Sequence, residues 1–336
     1  MSPPSTTSLT EDTKAILLLC GVLGREHAVD PLTQTEYNAL ARWLFDQKMR
    51  PADLLEGKNT AFAAVGAGIH EKRLHALLGR GVLLGFAVEE WQRNGIWILS
   101  RSDPDYPSRY KKHLGDKAPP LLFGVGDRSL LQGGGLAIVG SRNVDAEGEA
   151  FAHRVATLCA HNKMSVISGG ARGVDHIAMT AALEAGGAAL GILADNLLKK
   201  TLDRETRNAI FQGGLLLISP YHPNTRFTAG TAMGRNKLIH ALADYALVVS
   251  AEYKKGGSWR GAVEELGREN ARAVFVRVDQ DAPPGNRKLL ELGARPWPAP
   301  ESPETLPQQL AALATESERR GESFVSQMDL PLGIGN

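Results

Sequence analysis

Short, almost wholly apolar runs recur along the second two-thirds of the chain, and each is followed by a turn and a stretch with helical periodicity. The runs predict strands at 136–139, 164–168, 189–194, 215–218, 245–250 and 273–278, after two earlier candidates at 96–99 and 119–123. Because they lack the alternation of a half-exposed strand, they indicate strands buried on both faces, as in a parallel sheet between helices. We therefore predict an α/β fold with a doubly wound, mostly parallel sheet.

The first ninety or so residues have a helical pattern instead. Leu40, Trp43 and Leu44 recur at the spacing of one helical face, and a similar triplet follows the glycine turn at 65–68. That turn is compatible with a SAM-like or helix-hairpin-helix module and equally with an ordinary helical bundle. The expected organisation is a disordered lead over 1–12, a small helical domain over 13–94, the α/β domain over 95–298 and a mostly irregular tail over 299–336 with one amphipathic segment near 306–313.

Two of the predicted strand-to-helix turns contain an arginine. One reads Gly140-Ser141-Arg142-Asn143, and the other reads Ser168-Gly169-Gly170-Ala171-Arg172-Gly173. Glycine lets the backbone adopt positive φ and approach a ligand closely, and the first N–H groups of a helix are unpaired at the positive end of its dipole. We interpret both turns as phosphate sites, and two in register favour an elongated, phosphate-rich ligand.

Further candidates follow the same logic. Arg235, Asn236 and Lys237 form a basic cluster, predicted to lie in a loop before a helix over 238–243, where a bound anion would offset the unfavourable helix dipole. Gly257 and Ser258 open a helix predicted over 262–269, where Ser258 is a candidate phosphate contact or simply the N-cap.

Two neighbours of these turns have alternative roles. Trp259 is a candidate for stacking on a base or, more commonly for such a residue, for packing against the sheet. Asp175 comes at the start of its helix, where a carboxylate is favourable and can also brace the arginine of the preceding turn.

Charge, cysteine content and the length of apolar runs limit the classes of protein to which the chain can belong. With 38 basic and 37 acidic residues the net charge is +1, so any affinity for polyanions must come from local clusters. Cys20 and Cys159 lie in separate apolar runs and are expected to be buried, unbridged thiols, as in a reducing cytosol. The apolar run over 15–22 is too short to span a bilayer and lacks the features of a signal peptide, so we expect a cytoplasmic protein without membrane contact.

The residues themselves do not indicate catalysis. The chain has no nucleophile with an obvious base partner, no paired carboxylates, no Walker sequence and no spacing typical of metal ligands. We therefore predict a binding protein that is not an enzyme and uses no cofactor or metal.

An ordered series of motifs between about residues 95 and 297 resembles the DNA-processing protein A family (DprA, also called Smf). The motifs are Ile138-Val-Gly-Ser-Arg142, Ser168-Gly-Gly-Ala-Arg-Gly-Val-Asp175, Ala181-Ala-Leu-Glu-Ala-Gly-Gly187, Gly234-Arg-Asn236, Gly285-Asn286 and Gly293-Ala294, preceded by Asp103-Pro-Asp-Tyr-Pro107 and Pro120-Leu-Leu-Phe123.

The resemblance implies an extended Rossmann-like fold and a cytosolic, non-enzymatic protein. It would form a homodimer, bind and protect single-stranded DNA, and load a RecA-type recombinase during DNA recombination and natural transformation. The family's DNA contacts match Arg142, Arg172, Arg235 and Lys237, the last where the family usually has a second arginine. Guanidinium groups bind phosphate oxygens in a bidentate manner, whereas lysine offers a point charge.

The chain departs from the family pattern at several places. Gly170 replaces a usual leucine and is expected to loosen packing, Ser219-Pro220 replaces Ser-Glu, and 227–233 replaces a Phe-Pro segment. No winged-helix pattern is evident beyond Trp297. These departures bear on the transformation role and the recombinase partner more than on the DNA site, and they leave a role in genome defence open.

Two alternatives come from the same superfamily. One is a small-nucleotide sensor, and the other is a phosphoribohydrolase-like enzyme, whose Pro-Gly-Gly-x-Gly-Thr-x-x-Glu motif is loosely echoed by Gly256 to Glu264. The spacing of that echo differs by one residue, and its proline and threonine are missing.

Overall fold

The computed structural model describes residues 9–24, 29–298 and 303–315, and these residues form two compact units. Unit 1 combines Met1–Gly134 with Ala188–Leu242, and unit 2 combines Gly135–Gly187 with Ala243–Asn336. The structure thus divides the chain differently from the predicted boundary at residue 94. The reason is that the helical segment shares its unit with four strands, two of which come from the middle of the chain.

The elements follow one another in this order. The helices are α1 (Glu11–Cys20), α2 (Gln34–Asp46), α3 (Thr60–Ala67), α4 (Glu71–Leu78), α5 (Gly81–Arg93), α6 (Ser108–Leu114), α7 (Ala146–His161), α8 (Val174–Glu184), α9 (Leu197–Leu202), α10 (Arg204–Phe211), α11 (Ala229–Leu242), α12 (Gly256–Leu266) and α13 (Pro284–Glu291). The strands are β1 (Trp97–Ser100), β2 (Leu121–Val125), β3 (Leu136–Val139), β4 (Val166–Ser168), β5 (Ala189–Ile192), β6 (Leu215–Ser219), β7 (Tyr245–Val248), β8 (Ala273–Val276) and β9 (Arg295–Pro296).

Unit 1 begins with the predicted helical segment. Its first helix starts at Glu11, capped by Thr10, so the lead predicted over 1–12 is partly helical, and residues 1–8 lie outside the described part. Thr33 and Glu36 form a capping box at the start of α2. Leu40 and Leu44 are buried on its inner face, as their spacing predicts.

The strands of unit 1 are ordered β1-β2-β6-β5. The β1–β2 and β2–β6 pairs are antiparallel, and β5 runs parallel to β6. Every residue of β2, β5 and β6 is buried, which matches their unbroken apolar sequences.

The strands of unit 2 are ordered β4-β3-β7-β8-β9, and all their pairings are parallel. Ile138, Ile167, Leu247 and Phe275 are fully buried at the centre of these strands. The predicted fold class, an α/β Rossmann-like protein with a mostly parallel sheet and a helical N-terminal region, is confirmed.

Three smaller expectations can be placed on the structure. The amphipathic segment near 306–313 is a helix over 306–315 that buries Leu306 and Leu310. Cys159 is buried, with its pKa raised to about 12 by that burial, whereas Cys20 is half-buried; both are free thiols. Among the described residues, no helix has the length and apolar character needed to cross a membrane.

Candidate nucleic-acid interface

The first arginine turn follows β3 and leads into α7. The Ser141 hydroxyl accepts a hydrogen bond from the Asn143 N–H (3.1 Å), which tightens the turn. Asp145 caps α7 by accepting a bond from the Gly148 N–H at 2.6 Å. Arg142 is exposed at the outside of this turn. Its charge therefore stands beside the N-terminus of a helix, as predicted.

The second arginine turn follows β4 and leads into α8. The buried Ser168 hydroxyl donates to the Ile138 carbonyl at 2.6 Å, which ties β4 to the neighbouring strand β3. Gly170 has φ +63°, in the left-handed region that favours glycine. The expected loosening at Gly170 therefore needs correction: a leucine there would be strained, and glycine suits the backbone that this chain adopts. Arg172 is exposed.

Asp175 lies in the first turn of α8 and is buried. Its carboxylate accepts a hydrogen bond from the Gly169 N–H at 3.1 Å. Asp175 therefore braces the backbone of the glycine turn, and it holds the start of that turn against the helix that follows.

The two arginine turns are in direct contact. The Val174 N–H donates to the Ser141 carbonyl (3.2 Å), and the Arg172 guanidinium donates to the Asn143 side-chain oxygen (2.5 Å). Gly173 permits this approach, because a Cβ at that position would lie 2.3 Å from the Ser141 carbonyl oxygen. The turns at 140–143 and 168–174 therefore form one surface, which we call the paired turns.

A third turn joins the paired turns from β7. The prediction for its helix was wrong in detail: α12 begins at Gly256 with Lys255 as N-cap, so Ser258 lies inside the first turn and does not cap it. The Ser258 hydroxyl instead donates to the Gly140 carbonyl at 2.8 Å. Gly257 is exposed beside it. Unit 2 thus brings together the predicted residues of all three of its turns.

Trp259 and Tyr253 pack against each other in this third turn. Trp259 is buried, in agreement with the packing alternative, and its ring meets Tyr253 edge-on at 5.1 Å. Tyr253 remains 45% exposed, and the Lys254 ammonium lies 5.1 Å from its ring centre. This exposed aromatic was not predicted from the sequence. The signal available was a Tyr-Lys-Lys run that begins five residues after the end of the buried strand β7.

A buried arginine pairs with the N-cap residue of α7, which follows the first arginine turn. Arg277, at the end of β8, is fully buried and pairs with Asp145 (3.2 Å) and Asp279 (3.1 Å). The Arg277 guanidinium, followed by the Gly148 N–H, lowers the pKa of Asp145. This ion pair was also missed, although an arginine at the end of an apolar strand is an unusual residue that could have indicated it.

The predicted basic cluster at 235–237 lies in unit 1, and the prediction that it forms a loop is wrong. Arg235, Asn236 and Lys237 lie in the middle of α11, because Thr228 caps the helix by accepting a bond from the Thr231 N–H at 3.0 Å. The argument from an unfavourable helix dipole does not apply at mid-helix.

Arg235 also differs in exposure from the expectation. Its side chain is only 5% exposed, while Asn236 and Lys237 are half-buried. Tyr221 packs nearby: burial raises its pKa, and the positive charge of Arg235 opposes that rise. Arg235 therefore packs within unit 1.

Across the described residues, no cluster of histidine, cysteine or carboxylate side chains is arranged to hold a metal ion. The site chemistry of unit 2 consists of guanidinium groups, glycine backbone and helix N-termini. Such groups bind phosphate oxygens.

The chain is similar to DNA processing proteins in sequence and in structure. The chain is 28% identical over 228 residues to the DNA processing protein DprA of Bacillus subtilis, covering 65% of this chain and 74% of that protein. The structure of DprA from Streptococcus pneumoniae superposes with a TM-score of 0.67 at 22% identity, over 85% of this chain and 94% of that one.

A second solved structure is that of DNA processing protein A from Helicobacter pylori, a protein that binds single-stranded DNA. It superposes with a TM-score of 0.50 at 25% identity, over 66% of this chain and 96% of that one. The family model for DNA recombination-mediator protein A matches residues 97–305, which is more than half of the chain. The chain therefore belongs to the DNA recombination-mediator protein A family.

Proposed function

We propose that the protein binds single-stranded DNA through its sugar-phosphate backbone at the three turns of unit 2. The observation that carries this proposal is the contact between the paired turns, which holds the exposed Arg142 and Arg172 on one surface. Each arginine stands beside a helix N-terminus. A guanidinium beside the positive end of a helix dipole offers donors and charge that suit a phosphate.

The geometry favours a polymer over a mononucleotide. The three turns follow β4, β3 and β7, which are neighbours in the sheet and parallel. Neighbouring strands lie about 4.8 Å apart, so the outer turns are separated by roughly 10 Å. That separation exceeds what one phosphate group occupies, and it suits successive phosphates of a strand.

The comparisons support the same ligand. The H. pylori relative binds single-stranded DNA, and the family is named for mediating DNA recombination. Because the donors of the turns read phosphate rather than base edges, binding is expected to depend weakly on sequence and strongly on salt.

A salt titration with a fluorescent 20-nucleotide oligo(dT) tests the proposal. If three or four phosphates are neutralised, the logarithm of the affinity should fall against the logarithm of salt concentration with a slope of about −2 to −3, from roughly 0.7 per phosphate. A flat response contradicts the proposal. Binding of a duplex of the same length serves as the comparison.

Alanine substitution then locates the site. Arg142→Ala and Arg172→Ala should each weaken binding by about 1.5–3 kcal/mol, the value of a charge-assisted contact. Arg154 is the matched control, since it is an exposed arginine nine residues beyond the N-cap of α7, or roughly 13 Å along the helix. Equal losses for Arg154→Ala and Arg172→Ala would show a diffuse charge effect and no site at the turns.

We also propose that the protein acts without catalysis. The carboxylate that would complete a phosphoribohydrolase-like motif, Glu264, lies in the third turn of α12 and pairs with Arg268 at 2.7 Å. That pairing supports a surface role. Incubation with nucleoside monophosphates tests the point, because release of free base would contradict it and favour the enzyme.

Asn236 and Lys237 remain a separate part of the proposed DNA surface. Both are half-buried in α11, so their contribution is tested independently of the turns. Lys237→Arg should preserve or tighten binding, since a guanidinium adds a fork of donors, whereas Lys237→Glu should weaken it strongly. If neither substitution changes the affinity, α11 lies outside the DNA surface.

The cellular role is proposed from the family. We propose that the protein protects single-stranded DNA as a cytoplasmic homodimer and loads a RecA-type recombinase, with genome defence as the alternative pathway. Sedimentation of the protein tests the dimer. Recombinase filament formation on DNA coated with a single-strand-binding protein, with and without this protein, tests the loading.

A further inference from the structure

A groove on unit 1 is formed by elements other than those that carry the paired turns and the third turn. It has a volume of about 560 Å³ and runs along α10, with Arg204, Arg207, Asn208 and Phe211 on one side and Asn94 and Val125 among the residues on the other. Pockets of a few hundred Å³ are of the size that holds a small organic group.

The side of the groove formed by α10 is one continuous helical face. Arg204, Arg207, Asn208 and Phe211 stand at i, i+3, i+4 and i+7, so their side chains project in the same direction. Asp203 fixes the start of the helix by accepting hydrogen bonds from the Thr206 N–H and hydroxyl, both at 2.9 Å. The face is therefore presented by an anchored helix.

The two arginines in the groove have no carboxylate partner among the residues that the structure describes. Within the described part of the chain, neither Arg204 nor Arg207 takes part in an ion pair, and the nearby Asp203 carboxylate is engaged by Thr206. Arg204 also stands in the first turn of α10, where the helix dipole disfavours a cation. A bound anion would relieve both effects.

The same face carries an unusually exposed ring. Phe211 is 87% exposed at the end of α10, one helical turn beyond Arg207. One turn corresponds to roughly 6 Å along the helix axis. The groove therefore places two cations and a flat apolar surface at the spacing of a phosphate and a base within one nucleotide unit. Neutralisation of a phosphate by cations and stacking of a base on a ring are the usual contacts that proteins make with a single strand.

We infer that this groove binds a nucleotide unit of single-stranded DNA, with Arg204 and Arg207 on a phosphate and Phe211 stacked on the base. The inference rests on the proposed function for the nature of the polymer, but it assigns a second contact on different elements. A duplex would present no unstacked base to Phe211, so the contact selects a single strand.

A tryptophan in the groove reports the contact directly. In the whole chain carrying Phe211→Trp, the fluorescence of the new tryptophan should be quenched on saturation with 20-nucleotide oligo(dT), because a stacked base quenches the indole. Phe86→Trp is the matched control, since Phe86 is a 69% exposed phenylalanine on α5. Its fluorescence should not change. Equal quenching of both variants, or none in Phe211→Trp, would overturn the inference.

Thymidine monophosphate distinguishes a strand from a free nucleotide. Quenching of Phe211→Trp by oligo(dT) at concentrations where the monophosphate has no effect supports the inference. Quenching by the monophosphate alone overturns it in favour of a small-nucleotide site.

Affinity measurements complete the test. The double variant Arg204→Ala/Arg207→Ala should bind oligo(dT) about tenfold less tightly, with the salt slope reduced in magnitude by roughly 0.7, the value for one phosphate. Phe211→Ala should lower the affinity for oligo(dT) about five- to tenfold. If Arg172→Ala abolishes binding while these variants bind normally, the proposed function stands and the groove inference fails. If the unmodified protein binds no oligo(dT), the proposed function fails first.

Discussion

Replacing Gly173 with alanine tests whether the paired turns work as one site. Gly173 has φ +87° and ψ −136°, a conformation that is essentially restricted to glycine. A Cβ at this position would lie 2.3 Å from the Ser141 carbonyl oxygen and 2.7 Å from that of Arg142. Both atoms belong to the backbone of the other turn. The turns must therefore separate by about 1 Å to reach ordinary van der Waals distance.

The magnitude follows from two contributions. The backbone conformation costs about 1–3 kcal/mol for a residue with a side chain. Separation of the turns weakens the hydrogen bond from the Val174 N–H to the Ser141 carbonyl, which contributes about 1 kcal/mol. We expect Gly173→Ala to lower the free energy of unfolding by about 2–4 kcal/mol and to weaken oligo(dT) binding by about tenfold, because Arg142 and Arg172 lose their relative placement.

Gly186→Ala is the control for this experiment. Gly186 is also in unit 2 and has φ +75°, but a Cβ there would meet no atom within 4 Å. This variant should lose only about 1–2 kcal/mol from the left-handed conformation and should bind DNA normally. Chemical denaturation gives the stability, and fluorescence anisotropy on folded protein gives the affinity. Identical stability and affinity in the two variants would refute the coupling of the turns.

Three further predictions concern other parts of the molecule. Asn286→Ala should lower the free energy of unfolding by about 2–4 kcal/mol, measured by urea denaturation, because the fully buried Asn286 side chain makes three hydrogen bonds to backbone groups at 2.9–3.0 Å. Asp175→Asn should weaken DNA binding several-fold in anisotropy assays with a smaller loss of stability, because the bond from Gly169 loses its charged acceptor. Glu36 has its pKa lowered to about 2, first by the hydrogen bond from Arg73, so the resulting stabilisation is complete above about pH 4.5 and is lost as the pH falls towards 2. The Arg73 and Glu36 side chains are 28% and 34% exposed, so solvent screening reduces that stabilisation to about 1 kcal/mol. The difference in the free energy of unfolding between the native protein and Glu36→Gln should be present at pH 7 and shrink at pH 3.

Much of unit 2 could be predicted from local sequence. The parallel strands are short apolar runs, and the turns after β3 and β4 contain the glycines and helix-start residues that define such turns. Their chemistry is local, because a glycine with positive φ and a capped helix need only a few neighbouring residues. The contact between the turns is not local. It depends on the close approach of Gly173 to Ser141, which no spacing in the sequence encodes.

The error at α11 has a local origin. Gly230 and Gly234 favour a loop by their intrinsic propensity, because glycine is a poor helix former. The helix nevertheless spans both glycines, since Thr228 caps it and Leu238 and Ile239 bury its apolar side. Tertiary burial outweighs intrinsic propensity here, and it turns a predicted surface cluster into a partly buried helix segment.

Tyr253 and Arg277 illustrate what required the structure. The sequence marks each residue as unusual in its place, but the role of each depends on partners far along the chain or on how much of it remains exposed. Arg277 reaches Asp145 from 132 positions away and thereby supports the N-terminus of α7. Such long-range pairs are set by the order of strands in the sheet. Periodicity of a single segment carries no information about them.

The distribution of donors and rings also bears on how the protein would recognise DNA. At the paired turns the exposed groups are guanidiniums and backbone N–H groups, which contact phosphates and are indifferent to base identity. Two exposed rings, Tyr253 in unit 2 and Phe211 in unit 1, offer stacking surfaces, and every base has a face that stacks. We therefore expect discrimination against duplex DNA to rest on the rings, because only an unpaired strand presents free base faces. We expect affinity to rest on the arginines, so a protein lacking Arg142 and Arg172 should retain its preference for single strands while losing about half of its salt dependence.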